Sequence, residues 1–103
     1  YDNKNDILIP YHVKSLHSAS EFIRPVIAAN RYLLRQNKRT LAKQLREFAS
    51  LGISLNKTTY YKLLNGKFRT VYLNILMYYC NYWDKHIIEM YELGMRVINK
   101  EIE

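Results

Sequence analysis

The residues of this chain best suited to chemistry are cations, and what they offer is hydrogen-bond donation to anions, not bond making. Ten of the sixteen Lys and Arg lie between Arg31 and Arg69, where Glu47 is the only acid. That segment carries a charge of +9, against −2 for the remaining residues. So dense a positive field on one stretch suits a polyanion, and nucleic acid is the commonest. Groups that make or break bonds do not assemble in the same way. His12 and His17 are five apart, not the four that aligns two ligands on a helix, and His86 is remote from both. Ordinary packed or surface histidines, and no metal site, are expected. Cys80 falls within an apolar helical pattern, which favours a buried thiol over a nucleophile. Glu89 and Glu92, three apart, read as solubilising charge. The glycines at 52, 66 and 94 are too scattered for a phosphate-cradling loop. No enzyme activity and no cofactor are expected.

The elements that carry these cations must belong to a small domain. With 103 residues, 49% of them hydrophobic, the chain has enough apolar surface for one modest core. Ten tyrosines can line a core, a dimer contact or a phosphate-facing rim, because each has an apolar body and a polar tip. A single cysteine excludes an intrachain disulfide and fits a reducing cytoplasm. No apolar run approaches the roughly 18 residues of a membrane span, and no signal peptide is visible. The chain opens on Tyr1 without an initiator Met, so an arm or domain preceding it is an open expectation.

Along the chain, residues 1–17 read as an N-terminal arm, with Pro10 arguing against a central strand in Ile7–Val13. Ser18-Ala19-Ser20-Glu21 fits a capping box for a first helix running to about Gln36, with a kink or restart at Pro25. Thr40 is a natural N-cap for a second helix burying Leu41, Ala42, Leu45, Phe48 and Ala49, which Gly52 ends. Asn56 caps a short third helix stopping at Asn65-Gly66, where a left-handed turn is expected. A fourth helix spans roughly Val71 to Trp83, and Asp84 caps a fifth with the stripe Ile87, Tyr91, Gly94 or Met95, Ile98. The fold class is therefore all-α: five helices and an extended arm, divided as arm 1–17, central domain 18–83 and C-terminal helix 84–103.

From about Val26 to Trp83 this order resembles the phage-repressor and Cro family of helix-turn-helix DNA-binding domains. The likeness rests on Asn56-Lys57-Thr58-Thr59-Tyr60-Tyr61-Lys62-Leu63-Leu64-Asn65-Gly66-Lys67, with Tyr60 and Leu63 at the core positions, and on Thr40-Leu41-Ala42-Lys43-Gln44-Leu45 as the first motif helix. It implies a lambda-repressor-like domain, sequence-specific binding to double-stranded DNA and a transcriptional regulator from a phage, plasmid or other mobile element. One departure stands out. Between Thr40 and Asn56 the chain runs about one helical turn longer than is usual, through a longer helix or a loop from Ser50 to Leu55.

In such a domain the third helix reads bases with residues near its N-terminus. Lys57, Thr58, Tyr61 and Lys62 are the base-reading candidates. Lys38, Arg39, Thr40, Lys43, Thr59, Lys67 and Arg69 are the phosphate candidates, the first group because a helix N-terminus offers free N–H groups to an anion. Arg31, Arg35 and Arg46 read equally well as solvent-facing charge. A homodimer is expected, through Ile87, Tyr91, Met95 and Ile98 or through the arm, although helix five closing its own core is an equal reading. The other function class is a non-enzymatic protein-interaction module, antitoxin-like or an assembly factor, whose basic face meets an acidic protein. RNA binding is a lesser third, since no aromatic sheet face or signature loop is present.

Overall fold

The computed structural model describes residues 16–67 and 73–102, which form five α-helices and, among the described residues, no strand. They are α1 (Leu16–Gln36), α2 (Leu41–Ser50), α3 (Lys57–Leu64), α4 (Leu73–Tyr82) and α5 (Ile87–Ile98). The expected arm up to residue 15, His12, Arg69 and the Val71 start of helix four fall outside the described residues. No helix among those described is long and apolar enough to cross a membrane.

α1 is the axis of the fold. α5 packs against it most extensively, α4 and α3 pack against it to a lesser extent, and α2 touches α3 only lightly. Phe22, Ile23, Val26, Ile27 and Ala29 recur at helical spacing and supply its buried face, against Phe48, Leu63, Leu76, Cys80, Ile87 and Met90 of the other helices. Helix α1 runs through Pro25 without restarting. The missing N–H there leaves one carbonyl of the preceding turn unpaired by the helix. α5 meets α1 at this proline. A Cβ on Gly94 would collide with the Pro25 carbonyl oxygen, so only glycine lets the two backbones approach so closely.

Helix ends follow one scheme. In each, a left-handed residue two past the last helical one lets it and its successor donate N–H groups to carbonyls of the last turn, satisfying acceptors the helix leaves open. For α3, Gly66 (φ 69°) donates to Leu63 O and Lys67 to Lys62 O, at 3.0 and 2.9 Å. Gly52 (φ 84°) does the same for α2. Lys38, Asp84 and Lys100 hold this position in α1, α4 and α5 at φ of 54°, 53° and 60°.

Several sequence expectations are corrected here. α1 begins at Leu16, so Ser18 lies inside the helix and is not its cap. Asp84 takes the left-handed turn, and His86 caps α5: its Nδ1 accepts from the Ile88 N–H at 3.0 Å, while Glu89 reaches back to the His86 N–H at 3.1 Å. Glu89 is thus part of a capping box and not merely solubilising. Ala49 is exposed, and Asn65, with φ −88°, leaves the left-handed position to Gly66 alone. The extra length between Thr40 and Asn56 appears as a ten-residue α2 followed by an irregular connection at 51–56.

Candidate functional site

α3 is short, and its own propensity is weak, so its orientation depends on what anchors it. Asn56, in extended conformation, caps it by accepting from the Thr59 N–H at 2.8 Å. One turn on, Tyr60 and Leu63 are 1% and 2% exposed and point into the core. The Tyr60 hydroxyl ends in a buried polar cluster. It donates to the Ile27 carbonyl oxygen at 3.3 Å and accepts from Asn30 Nδ2 at 3.2 Å. Asn30 exchanges two further bonds with Gln44, of 2.9 and 2.6 Å, and its Oδ1 accepts from Trp83 Nε1 at 2.7 Å. α1, α2, α3 and the end of α4 therefore meet at one fully paired amide. Burial pushes the Tyr60 hydroxyl up to about 12, against the smaller opposing pull of its Asn30 hydrogen bond. It is a neutral anchor.

With that face held inward, Lys57, Thr58, Tyr61 and Lys62 are all exposed on the opposite side of α3. Tyr61 is 46% exposed, an uncommon position for a large aromatic, and its ring meets that of Tyr60 edge-on at 5.5 Å between centroids. Thr59 is half-buried beside the cap. The outer face offers ammonium groups, a hydroxyl and a phenol on a helix too short to flex, a set suited to donating to base edges and phosphates.

At the start of α2, the Thr40 hydroxyl accepts from the Lys43 N–H at 3.2 Å, and Lys38, Thr40 and Lys43 are exposed. Arg39 differs from the expectation of a free phosphate contact. Its Nη1 donates to the Tyr82 hydroxyl at 3.0 Å, and its guanidinium lies 5.6 and 5.8 Å from the ring centres of Tyr82 and Trp83. Tyr82 in turn donates to Glu47 Oε1 at 2.5 Å. Glu47, the lone acid of the basic segment, thus engages a tyrosine that also binds Arg39. Burial, then the Glu47 hydrogen bond, raises the Tyr82 pKa. Lys67 is exposed just beyond α3.

Of the residues expected at a dimer contact, Ile87 is excluded: it is 0% exposed in its own chain's core. Tyr91, Met95 and Ile98 are half-buried, and Tyr91 packs on Phe22 with ring centres 4.7 Å apart. Cys80 is fully buried, as its apolar helical pattern implied, and that burial pushes its thiol up to about 12.

The sequence reading left out one grouping. Arg24, Ala28, Arg31 and Arg35 form a single stripe on α1 that borders Leu64 and Asn65 at the end of α3 and Val97 and Ile98 at the end of α5. The spacing i, i+4, i+7, i+11 was the available signal. Arg24 lies outside the basic segment from Arg31 to Arg69. No protein-family model, characterised protein or solved structure matches this chain.

Proposed function

We propose that the protein binds double-stranded DNA sequence-specifically, as a lambda-repressor-like helix-turn-helix domain that regulates transcription. The observation that carries this reading is the polarity of α3. Tyr60 and Leu63 are locked into the core, while Lys57, Thr58, Tyr61 and Lys62 face outward on a chain of net charge +7. In this reading the N-terminal end of α3 enters the major groove. Lys57 or Lys62 donates to guanine O6 and N7, Thr58 packs on a thymine methyl or bonds a phosphate, and Tyr61 adds a phenol at the groove wall. Lys38, Thr40, Lys43, Thr59 and Lys67 hold the flanking phosphates, and Arg39 contributes the guanidinium donors that Tyr82 leaves open. Two copies on half-sites about 34–36 Å apart supply the affinity one short helix lacks, with Tyr91, Met95 and Ile98 as the contact.

The test is a mobility-shift assay at low salt with the variants Lys57→Ala, Thr58→Ala and Lys62→Ala. Each is expected to weaken specific binding while leaving the thermal unfolding curve in place. Specific binding that survives all three changes means that α3 is not the reading helix.

The alternative, a protein-interaction module, draws on a different feature. Leu51 is 74% exposed beside a cleft of about 260 Å³ lined by Phe48, Ile53, Tyr78 and Tyr82. An exposed leucine at an apolar cleft is a common mark of protein contact. Sequence preference separates the two: an interaction module shows only weak, sequence-blind and salt-sensitive binding to duplex DNA.

A further inference from the structure

Three arginines of α1 face one groove, and among the described residues no carboxylate lines it. Arg24, Arg31 and Arg35 line a cavity of about 310 Å³ whose floor is Ala28 and whose far walls are Asn65 and the last turn of α5. Asn65 is the one uncharged polar side chain among its described lining residues. Among the described residues, none of the three guanidiniums forms an ion pair or a hydrogen bond. Two helix C-termini border the groove and carry partial negative charge, and part of their last-turn carbonyls is already bonded within the backbone. Lys62 O and Leu63 O accept from Lys67 and Gly66, and Arg96 O and Val97 O accept from Glu101 and Lys100.

Three like charges held on one wall repel each other, and an anion removes that cost. A guanidinium presents five N–H donors in a planar fork that matches phosphate oxygens two at a time. At 1.5 Å rise per residue, Arg24 and Arg31 are about 10 Å apart along the axis and Arg31 and Arg35 about 6 Å. Long side chains from these positions converge on a ligand with several phosphate oxygens, not on a single ion. The cavity is at the lower end of the size range of small-molecule sites.

We propose that this groove binds a free small molecule carrying two or more linked phosphates, of the size of a nucleoside di- or triphosphate. Asn65, the C-cap of α3, forms part of its wall, so an occupied groove abuts the helix of the proposed DNA interface. Binding itself does not depend on that interface.

The experiment is a calorimetric titration of the whole chain with pyrophosphate and with adenosine triphosphate, without DNA, at near-physiological salt. One saturable site per chain is expected. Arg24→Gln, Arg31→Gln and Arg35→Gln should each weaken it about tenfold, the loss of roughly 1.4 kcal/mol expected for a charged contact. Arg46→Gln removes the same charge elsewhere and should change it less than about twofold by long-range field alone. All four arginines are exposed, so the variants should keep the native melting curve, which circular dichroism checks. Absence of saturable binding, or equal sensitivity to Arg46→Gln, overturns the proposal. So does pyrophosphate failing to bind while the three Gln variants weaken duplex DNA binding; the stripe then serves the nucleic-acid backbone. Because the titration contains no DNA, failure of the α3 reading leaves its result unaffected.

Discussion

Asn30 serves three other elements with one amide, and the tyrosines around it test the consequence. Tyr60 and Tyr79 are both fully buried, but Tyr60 has partners and the Tyr79 hydroxyl has none among the described residues. Tyr60→Phe removes paired bonds and should cost about 1 kcal/mol. Tyr79→Phe removes an unsatisfied hydroxyl and should be neutral or stabilising by a similar amount, as chemical denaturation would measure. A larger loss at Tyr79 than at Tyr60 would contradict the hydrogen-bond assignment. The same burial sets a pH limit. Tyr60 is raised from 10.0 to about 12, Cys80 from 9.0 to about 12, and Tyr79 also upward. The fold favours the neutral, protonated forms. Their contribution is complete below the unfolded values, declines as pH rises beyond about 9 to 10, and is lost through about 12. Melting temperature should fall across that alkaline window. Tyr60 and Tyr79 should ionise only as the helical signal disappears, and ionisation of all tyrosines with the fold intact would contradict this.

At the scale of elements, two backbone positions act in opposite directions. Gly94→Ala places a Cβ against the Pro25 carbonyl and should destabilise by about 2 kcal/mol or more, because backbone cannot move aside as a side chain can. Lys100, by contrast, pays for a left-handed conformation that glycine adopts freely. Lys100→Gly should stabilise by about 1 kcal/mol, raising the melting temperature by about 4–8 °C in a domain of this size. Calorimetry distinguishes both from no effect. Helix identities and the caps at Thr40 and Asn56 were legible in the sequence, since each depends on residues within one turn. The true cap of α5 was local too, but His is a rarer cap than the nearby Asp84, and the commoner residue misled. What local pattern could not reveal was pairing across the chain. Gly94 with Pro25, Asn30 with Gln44, and Arg39 with Tyr82 join residues whose types are ordinary and whose meeting depends on tertiary geometry. The candidate site divides in the same way: the outward face of α3 followed from helical spacing, whereas the engagement of Arg39 and the arginine groove did not.

For the molecule as a whole, charge and shape bear on one question. A net +7 with the cations concentrated in one segment gives a long-range attraction to polyanions whatever the contacts. If about six phosphates are neutralised, log K against log salt should have a slope of about −5. That slope reports backbone contact alone, and a basic interaction module would also show sequence-blind, salt-sensitive DNA affinity. Sequence preference separates them, and it resides in the four outward residues of α3. The most direct measurement is selection of bound duplexes from a random pool, run in parallel with the wild-type chain and with Lys57→Ala/Lys62→Ala. The account predicts that the wild type enriches a defined motif, with two-fold symmetry if two copies bind, and that the variant loses or alters it. Enrichment of no motif, or of the same motif by both proteins, would contradict it.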